Sequence, residues 1–365
     1  MSEWQTFCLK DLGKIVGGAT PPTNNPKNYG NKIAWITPKD LSTLQGRYIK
    51  KGSRSISRLG FKSCSCVLLP KHAILFSSRA PIGYVAIAEK RLCTNQDFKS
   101  IIPNKKIYFE FLYYLLKYHK NNFINMGEGT TIKGIYNIAL GLFEVKIPPT
   151  YYEQQKIART LSILDQKIEN NHKINELLHT LAYKIYEYYF KYKPKNAKLE
   201  QIIIENPKSN IMVKNAQKTQ DKYPFFTSGD NILSYPKAII DGRNCFLNTG
   251  GNAGIKFYVG KASYSTDTWC IYANEFSDYL YLLILSIKNH INQSFFQGTS
   301  LKHLQKNLLK KYPIYMPSAH EIKKFNQIMM PLLTLISINT RTSKKLEQIR
   351  DFLLPLLLKQ QVKPQ

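Results

Sequence analysis

The sequence predicts an α+β chain in which two pseudo-repeated globular domains are joined by two long antiparallel coiled-coil helices. Three observations predict it. Residues 151–192 contain neither proline nor glycine and carry apolar residues at alternating spacings of four and three. The seam Ile157, Leu161, Leu164, Ile168, Asn171, Asn175, Leu178, Ala182, Ile185, Tyr189 makes a heptad stripe along a helix of about 40 residues, or roughly 60 Å at 1.5 Å per residue. The same stripe returns 168 residues later as Phe325, Met329, Leu332, Ile336, Asn339, Ser343, Leu346, Arg350, Leu353, Leu357, so the chain is an internal repeat. Finally, the segments ahead of the two helices share one order of motifs. The expected divisions are residues 1–149, a central helix at 150–193, residues 194–317 and a C-terminal helix at 318–362.

With the ends of the helices matched, Tyr151 lies near Lys359 and Tyr192 near Ser318, and Asn171 falls opposite Asn339. A polar residue at a seam position costs stability but fixes register and orientation, so this pair is expected to set the helix register.

In chain order, residues 6–20 read as a short amphipathic helix closed by Gly17-Gly18, followed by the loop Pro21-Pro22 and an asparagine-rich stretch. Ile33 to Thr37 reads as a buried strand. Strands are expected at Cys66 to Leu69 and Ala73 to Ser77 about a turn at Pro70-Lys71-His72, then at Tyr84 to Ala88, with a helix from Ile107 to Lys120. Gly127 to Lys133 is a glycine-rich turn into a short helix, and Phe143 to Ile147 is a last strand stopped by Pro148-Pro149. The second half repeats this order with shorter loops. Leu9 meets Leu199 and Ile36-Thr37 meets Phe226-Thr227 at an offset of 190; Gly83 meets Gly254 at 171; Gly129 to Lys133 meets Gly298 to Lys302 at 169.

Composition bounds the function. The 52 basic against 24 acidic residues leave a net charge of +28, which points to a polyanionic partner, most simply nucleic acid. No apolar run suggests a membrane span and no secretory signal opens the chain, so a cytoplasmic protein is expected. The six cysteines are scattered, and Cys64 and Cys66 form CxC rather than the CxxC of zinc sites. Nucleotide-binding and metalloprotease signatures are missing: Gly260-Lys261 is followed by Ala262, not by Ser or Thr, and there is no HExxH.

These motifs resemble one family, the specificity subunit of Type I restriction-modification systems. The resemblance rests on Leu12-Gly13-Lys14-Ile15 with Gly18-Ala19-Thr20-Pro21, on Ile33 to Asp40, on Tyr223 to Gly229, and on Ile147-Pro148-Pro149 with Glu153-Gln154-Gln155-Lys156-Ile157-Ala158 and Leu161. It covers essentially the whole chain. The start of the second long helix departs from the pattern, since Glu321-Ile322-Lys323-Lys324-Phe325 lacks the glutamines, and Pro331 inside that helix is expected to kink or break it.

The resemblance implies a subunit with no catalysis of its own. Each globular repeat is a target recognition domain that reads one half of a split double-stranded DNA site. The helix pair fixes the spacer and docks two methyltransferase subunits, which restriction subunits join as an ATP-dependent endonuclease. It implies no cofactor or metal bound by this chain, with S-adenosylmethionine, ATP and Mg on the partners. A stand-alone sequence-specific DNA-binding regulator is the first alternative, and an RNA-binding or nuclease protein, disfavoured by the absence of a metal-site pattern in the sequence, is the second.

Base edges are read by Arg or Lys at guanine, Asn or Gln at adenine and short hydroxyls, while phosphates take cations and free N–H groups. Loop residues of these types are the DNA-binding candidates. In the first repeat they are Lys39, Arg47, Lys51, Arg54, Arg79, Asn95 and Gln96. In the second they are Ser228, Asn231, Arg243, Asn248, Thr249, Asn252, Lys256 and Thr266. Lys133 and Lys302, each after a Gly-Thr-Thr/Ser turn expected to open a helix, are candidates for holding a phosphate at the helix start; the bland alternative there is capping by Thr131 and Ser300.

Overall fold

The structure, a computed structural model, describes residues 3–129, 133–216 and 222–364. The chain divides into two compact units, Met1–Asn170 with Ser343–Gln365, and Asn171–Thr342. Each long helix therefore gives part of its length to one unit and part to the other.

The strands of the first unit are β1 (Gln5–Cys8), β2 (Gly13–Gly17), β3 (Tyr29–Ile36), β4 (Tyr48–Ile49), β5 (Arg54–Ile56), β6 (Ile74–Phe76), β7 (Val85–Ala88), β8 (Cys93–Thr94), β9 (Lys99–Pro103) and β10 (Glu144–Ile147). They form a five-stranded sheet β2-β9-β6-β7-β4, a three-stranded sheet β5-β3-β8 and the pair β1-β10. The helix Phe109–Tyr118 packs its buried face, including Phe111, Leu112, Leu115 and Leu116, into the core with Ile74, Ile87 and Ile101 of the large sheet. The expected helix over 6–20 is one turn, Leu9–Leu12, between β1 and β2. Gly13 ends it: β2 lies so close to β9 that a Cβ there would sit 2.5 Å from the Ile102 carbonyl oxygen. Cys66 to Leu69 is not a strand either, holding only the single bridge Leu69 to Leu92. The helix expected over 107–120 ends at Tyr118, and a second one, Lys120–Met126, follows it.

The second unit contains β11 (Ala197–Lys198), β12 (Ile204–Glu205), β13 (Tyr223–Phe226), β14 (Leu233–Tyr235), β15 (Arg243–Asn248), β16 (Ile255–Val259), β17 (Ser263–Tyr264), β18 (Thr268–Tyr272), β19 (Phe296–Gln297), β20 (His303–Leu304) and β21 (Pro313–Ile314). Its sheets β12-β18-β15-β16, β14-β13-β17 and β11-β21 reproduce those of the first unit, less the edge strand β4. The register repeats too. β3 runs parallel to β8 with Trp35 opposite Cys93, and β13 runs parallel to β17 with Phe225 opposite Ser263. Ile74 faces both Ile87 and Ile101, and Cys245 faces both Phe257 and Ile271. The repeat seen in the sequence is thus a repeat of topology.

The long helices span Tyr151–Phe190 and Ala319–Leu358, 40 residues each. Side-chain capping closes the start of each: Glu153 N–H donates to Thr150 Oγ1 at 3.2 Å, and at the second helix the capping is reciprocal, Ser318 N–H donating to Glu321 Oε2 at 3.0 Å and Glu321 N–H to Ser318 Oγ at 3.3 Å. In the first unit Arg350 Nη1 meets Asp165 Oδ1 at 2.7 Å, and Asp165 Oδ2 accepts from the Tyr114 hydroxyl at 2.6 Å. In the second unit Asn339 Nδ2 donates to Asn175 Oδ1 at 2.9 Å, and Phe325 stacks edge-on to Phe190 with centroids 5.0 Å apart. These pairs confirm an antiparallel arrangement but correct its register: Asn339 bonds Asn175, one turn beyond Asn171. Side chains on a helix lean toward its N-terminus, so the tips that meet in an antiparallel pair come from positions displaced C-terminally on both helices. Matching helix ends ignores that lean.

The second helix also runs through Pro331 without the expected break. Arg243 Nη2 donates to the Met330 carbonyl at 3.2 Å and its Nη1 to Thr334 Oγ1 at 3.0 Å, holding the turn that carries the proline from outside.

Candidate nucleic-acid interface

Many of the sequence-selected residues converge on one loop cluster in each unit. In the first, the loop after β6, the loop before β9 and the glycine turn near 127–134 meet. Ser78 N–H donates to the Asp97 carbonyl at 2.8 Å, Ile135 N–H to the Ser78 carbonyl at 2.9 Å, and Arg79 bridges to Gly134. Asp97 is the hub: its carboxylate takes Arg79 Nε and, at 2.5 Å, Asn95 Nδ2, while Thr20 bonds Gln96 beside it. In the second unit the Asp267 carbonyl accepts from Ser228 Oγ and from Thr249 N–H, the latter at 3.1 Å. Asn248 Nδ2 donates to the Ser228 carbonyl at 2.7 Å, and Gly250 bridges to His303. The two clusters are the same part of the repeat, built from different residues.

The geometry also removes several candidates. Arg47 is 3% exposed; its Nη1 lies 2.8 Å from Glu110 and its Nε 3.1 Å from Glu169, so it rivets β4 to a core helix and to the first long helix. Arg243 pairs with Asp278 and grips the second long helix. Glu110 and Asp278 occupy the first turns of matching helices, so each unit has a buried arginine rivet. Asn95 and Asn248, 7% and 8% exposed, spend their amides inside the loop clusters. Lys256 Nζ donates to the Thr227 and Gly229 carbonyls at 2.7 and 2.6 Å, and burial depresses its pKa. These five are framework, because a buried charge or amide needs fixed partners and has them within the chain.

Lys133 and Lys302 are exposed but do not sit at helix starts, since the following helices begin at Asn137 and Lys306. Thr131 lies outside the described residues, and Ser300 caps no helix. What recurs is the turn. Gly129 and Gly298 take φ of 121° and 138°, a conformation that favours glycine.

What stays exposed is Lys39, Lys51, Arg54, Gln96, Lys133, Asn231, Asn252 and Lys302, with Arg79, Ser228, Thr249 and Thr266 half-buried. Lys39, Lys51 and Arg54 belong to a denser set that residue-by-residue selection misses. Lys27, Lys32, Lys50, Arg58 and Lys62 are also exposed, and none of the eight is ion-paired among the described residues. Local charge density is the signal that finds them: residues 27–62 hold nine basic residues and a single acid, Asp40. That acid is occupied. Its Oδ2 accepts from Thr37 N–H and Oγ1, both at 2.8 Å, and its Oδ1 from Ser53 N–H at 2.7 Å. Burial alone would raise its pKa, but these bonds prevail and hold it below the usual carboxylate value.

Among the described residues no three His, Cys, Asp or Glu side chains are grouped to hold a metal ion, and no helix is long and apolar enough to cross a membrane.

Both repeats match the Type I restriction modification DNA specificity domain, over residues 1–180 and 195–348. The chain is 31% identical to the Type I restriction enzyme MjaIX specificity subunit of Methanocaldococcus jannaschii, across 98% of this chain and 93% of that one. A shorter stretch, 31% of this chain and 24% of the relative, is 33% identical to the HindI specificity subunit of Haemophilus influenzae. In fold it resembles the crystal structure of a Type I restriction-modification S subunit from M. genitalium, with a TM-score of 0.63 over 97% of this chain and 96% of that one at 18% identity. Matched in both repeats and along nearly its whole length, this chain belongs to the family of Type I restriction-modification specificity subunits.

Proposed function

We propose that each unit reads one half of a bipartite DNA site, and that the helix pair sets the spacing between the halves and offers the surface on which two methyltransferase subunits dock. One observation carries this reading: sheet order and register repeat between the units, while the loops on the shared scaffold differ in length, charge and side chains. A duplicated reader with divergent loops suits an asymmetric split target. The chain itself acts as a non-catalytic component. Methyl transfer and ATP-dependent cleavage belong to partner subunits carrying S-adenosylmethionine, ATP and Mg, in the cytoplasm. Exposed apolar side chains on the long helices, such as Leu177 at 71% and Phe352 at 69%, supply unpartnered surface consistent with docking.

The test is to co-express the chain with the methyltransferase gene beside its own and map methylated adenines across a genome. A single bipartite motif with a constant gap is expected. A stable complex that methylates nothing would count against the reading, and tight sequence-specific binding by the chain alone would favour a free-standing regulator.

A further inference from the structure

The two repeats are not electrically equivalent. Residues 1–149 carry 22 basic and 8 acidic residues, whereas 194–317 carry 15 and 8. The difference is concentrated where the scaffolds diverge. Between β3 and β6, residues 37–73 hold eight basic residues and one acid; between β13 and β15, residues 227–242 hold Lys237 against Asp230 and Asp241. One insertion is strongly cationic and its counterpart is net acidic. Arginine shows the same skew: Arg243 is the only arginine in 194–317, and it is committed to Asp278.

The cationic insertion is a built surface rather than a tail. β5 pairs with β3, placing Arg54 opposite Trp35. The one-turn helix Arg58–Lys62 is capped by Ser57 Oγ, which accepts from Gly60 N–H at 3.0 Å and donates to the Lys27 carbonyl at 2.6 Å. Asp40 staples the helix Pro38–Ser42 to Ser53, fixing Lys39 beside the Lys50-Lys51 loop. The shallow cavity against Arg54, about 460 Å³, is lined by Thr23, Pro26, Tyr29 and Ser55. Arg47 apart, which is buried against Glu110 and Glu169, these cations are therefore held on ordered elements with no ion-pair partner among the described residues.

We propose that residues 27–62 form the phosphate-anchoring surface of the molecule and supply most of the electrostatic part of its DNA affinity, while the second recognition domain reads with little of it. This rests on the DNA-reading function proposed above. Each phosphate neutralised releases condensed counterions, so the share of each domain is measurable as a salt slope of about 0.9 per contact. Consequently the first domain anchors the complex on any sequence, and the second contributes mainly through neutral polar groups at base edges.

The experiment compares two charge-matched variants of the full chain assembled with its methyltransferase subunits. One carries Lys39→Gln, Lys51→Gln, Arg54→Gln and Arg58→Gln; the other carries Lys208→Gln, Lys214→Gln, Lys237→Gln and Lys261→Gln. All eight positions are exposed, and single and double substitutions on the way keep the slope measurable if the fourfold variant binds weakly. Binding to a random-sequence duplex is followed against salt. The first variant is expected to lower the slope by about 3–4 and the second by less than about 1. Equal losses, or a first variant with an unchanged slope, would overturn the proposal. A wild-type complex whose affinity for the duplex is insensitive to salt would overturn the underlying DNA-reading function, and the anchor with it.

Discussion

Replacing Arg243 with methionine removes the rivet between β15, the helix Ser277–Ser286 and the second long helix, and its cost can be worked from the contacts. Asp278 is 1% exposed at its side chain and Arg243 17%. The guanidinium serves both carboxylate oxygens, Thr334 Oγ1 and the Met330 carbonyl. Removing one partner of a buried pair leaves an uncompensated charge, typically about 3–5 kcal/mol. For a unit spanning Asn171–Thr342, that corresponds to a melting-temperature loss of roughly 6–20 °C. The loss should depend on pH. Burial holds the pKa of Asp278 above its ordinary value even with Arg243 in place, the arginine offsetting only part of it. A folded pKa above the unfolded one means that the penalty is absent below the unfolded value and grows as pH rises through the folded value. Without the arginine the folded pKa climbs further, so Arg243→Met should be most damaging at neutral pH and partly relieved in mild acid. Adding Asp278→Leu should recover most of the stability, because an apolar pair of similar volume is often neutral or better. Calorimetry on wild type, single and double variants decides it. A single-variant loss under about 1 kcal/mol, or a double variant no better than the single, would refute the reasoning.

Further consequences follow from other contacts. Gln154 is 1% exposed and serves three backbone groups, accepting from Tyr108 N–H at 2.7 Å and donating to the Lys106 and Pro148 carbonyls at 3.0 and 3.3 Å; Gln154→Ala should cost about 2–3 kcal/mol in denaturant unfolding and speed amide exchange at Tyr108. Tyr114→Phe deletes a bond to the buried Asp165 carboxylate and should cost about 1.5–3 kcal/mol by the same assay. His119 is packed against Phe143 with ring centroids 5.1 Å apart, and burial depresses its pKa below 6.5. Its contribution is therefore present above the unfolded pKa and lost as pH falls through the folded one, and His119→Phe should flatten the acid limb of the first unit's thermal stability. Ser337 Oγ accepts from Val259 N–H at 3.0 Å inside the second unit; Ser337→Ala should cost about 1–3 kcal/mol of thermal stability by stranding that amide.

How much of the molecule is legible in the sequence depends on how local each signal is. The seam residues and the offsets between repeats recur within the chain itself, so the long helices and the shared order of elements can be read from the sequence alone. The partners of Arg47 cannot. Glu169 is 122 positions away and Glu110 is 63, and nothing beside Arg47 distinguishes an inward loop arginine from an outward one. Arg243, Asn95, Asn248 and Lys256 are illegible for the same reason, since each satisfies its charge or amide through loops that only the fold brings together. The opening segment misleads differently. Its apolar spacing fits a helix, but Gly13 permits a close approach to β9 that ends the helix after one turn. The cationic character of residues 27–62 is visible in composition, but only when the stretch is weighed as a whole rather than residue by residue.

The central claim is that the helix pair spaces two independent readers, and methylome mapping of a chain lacking one heptad from each long helix tests it most directly. Seven residues remove about 10 Å of helix, close to 3 base pairs of duplex. The account predicts a motif with both half-sites intact and a gap shorter by about 3 base pairs. Altered half-sites with an unchanged gap would contradict it.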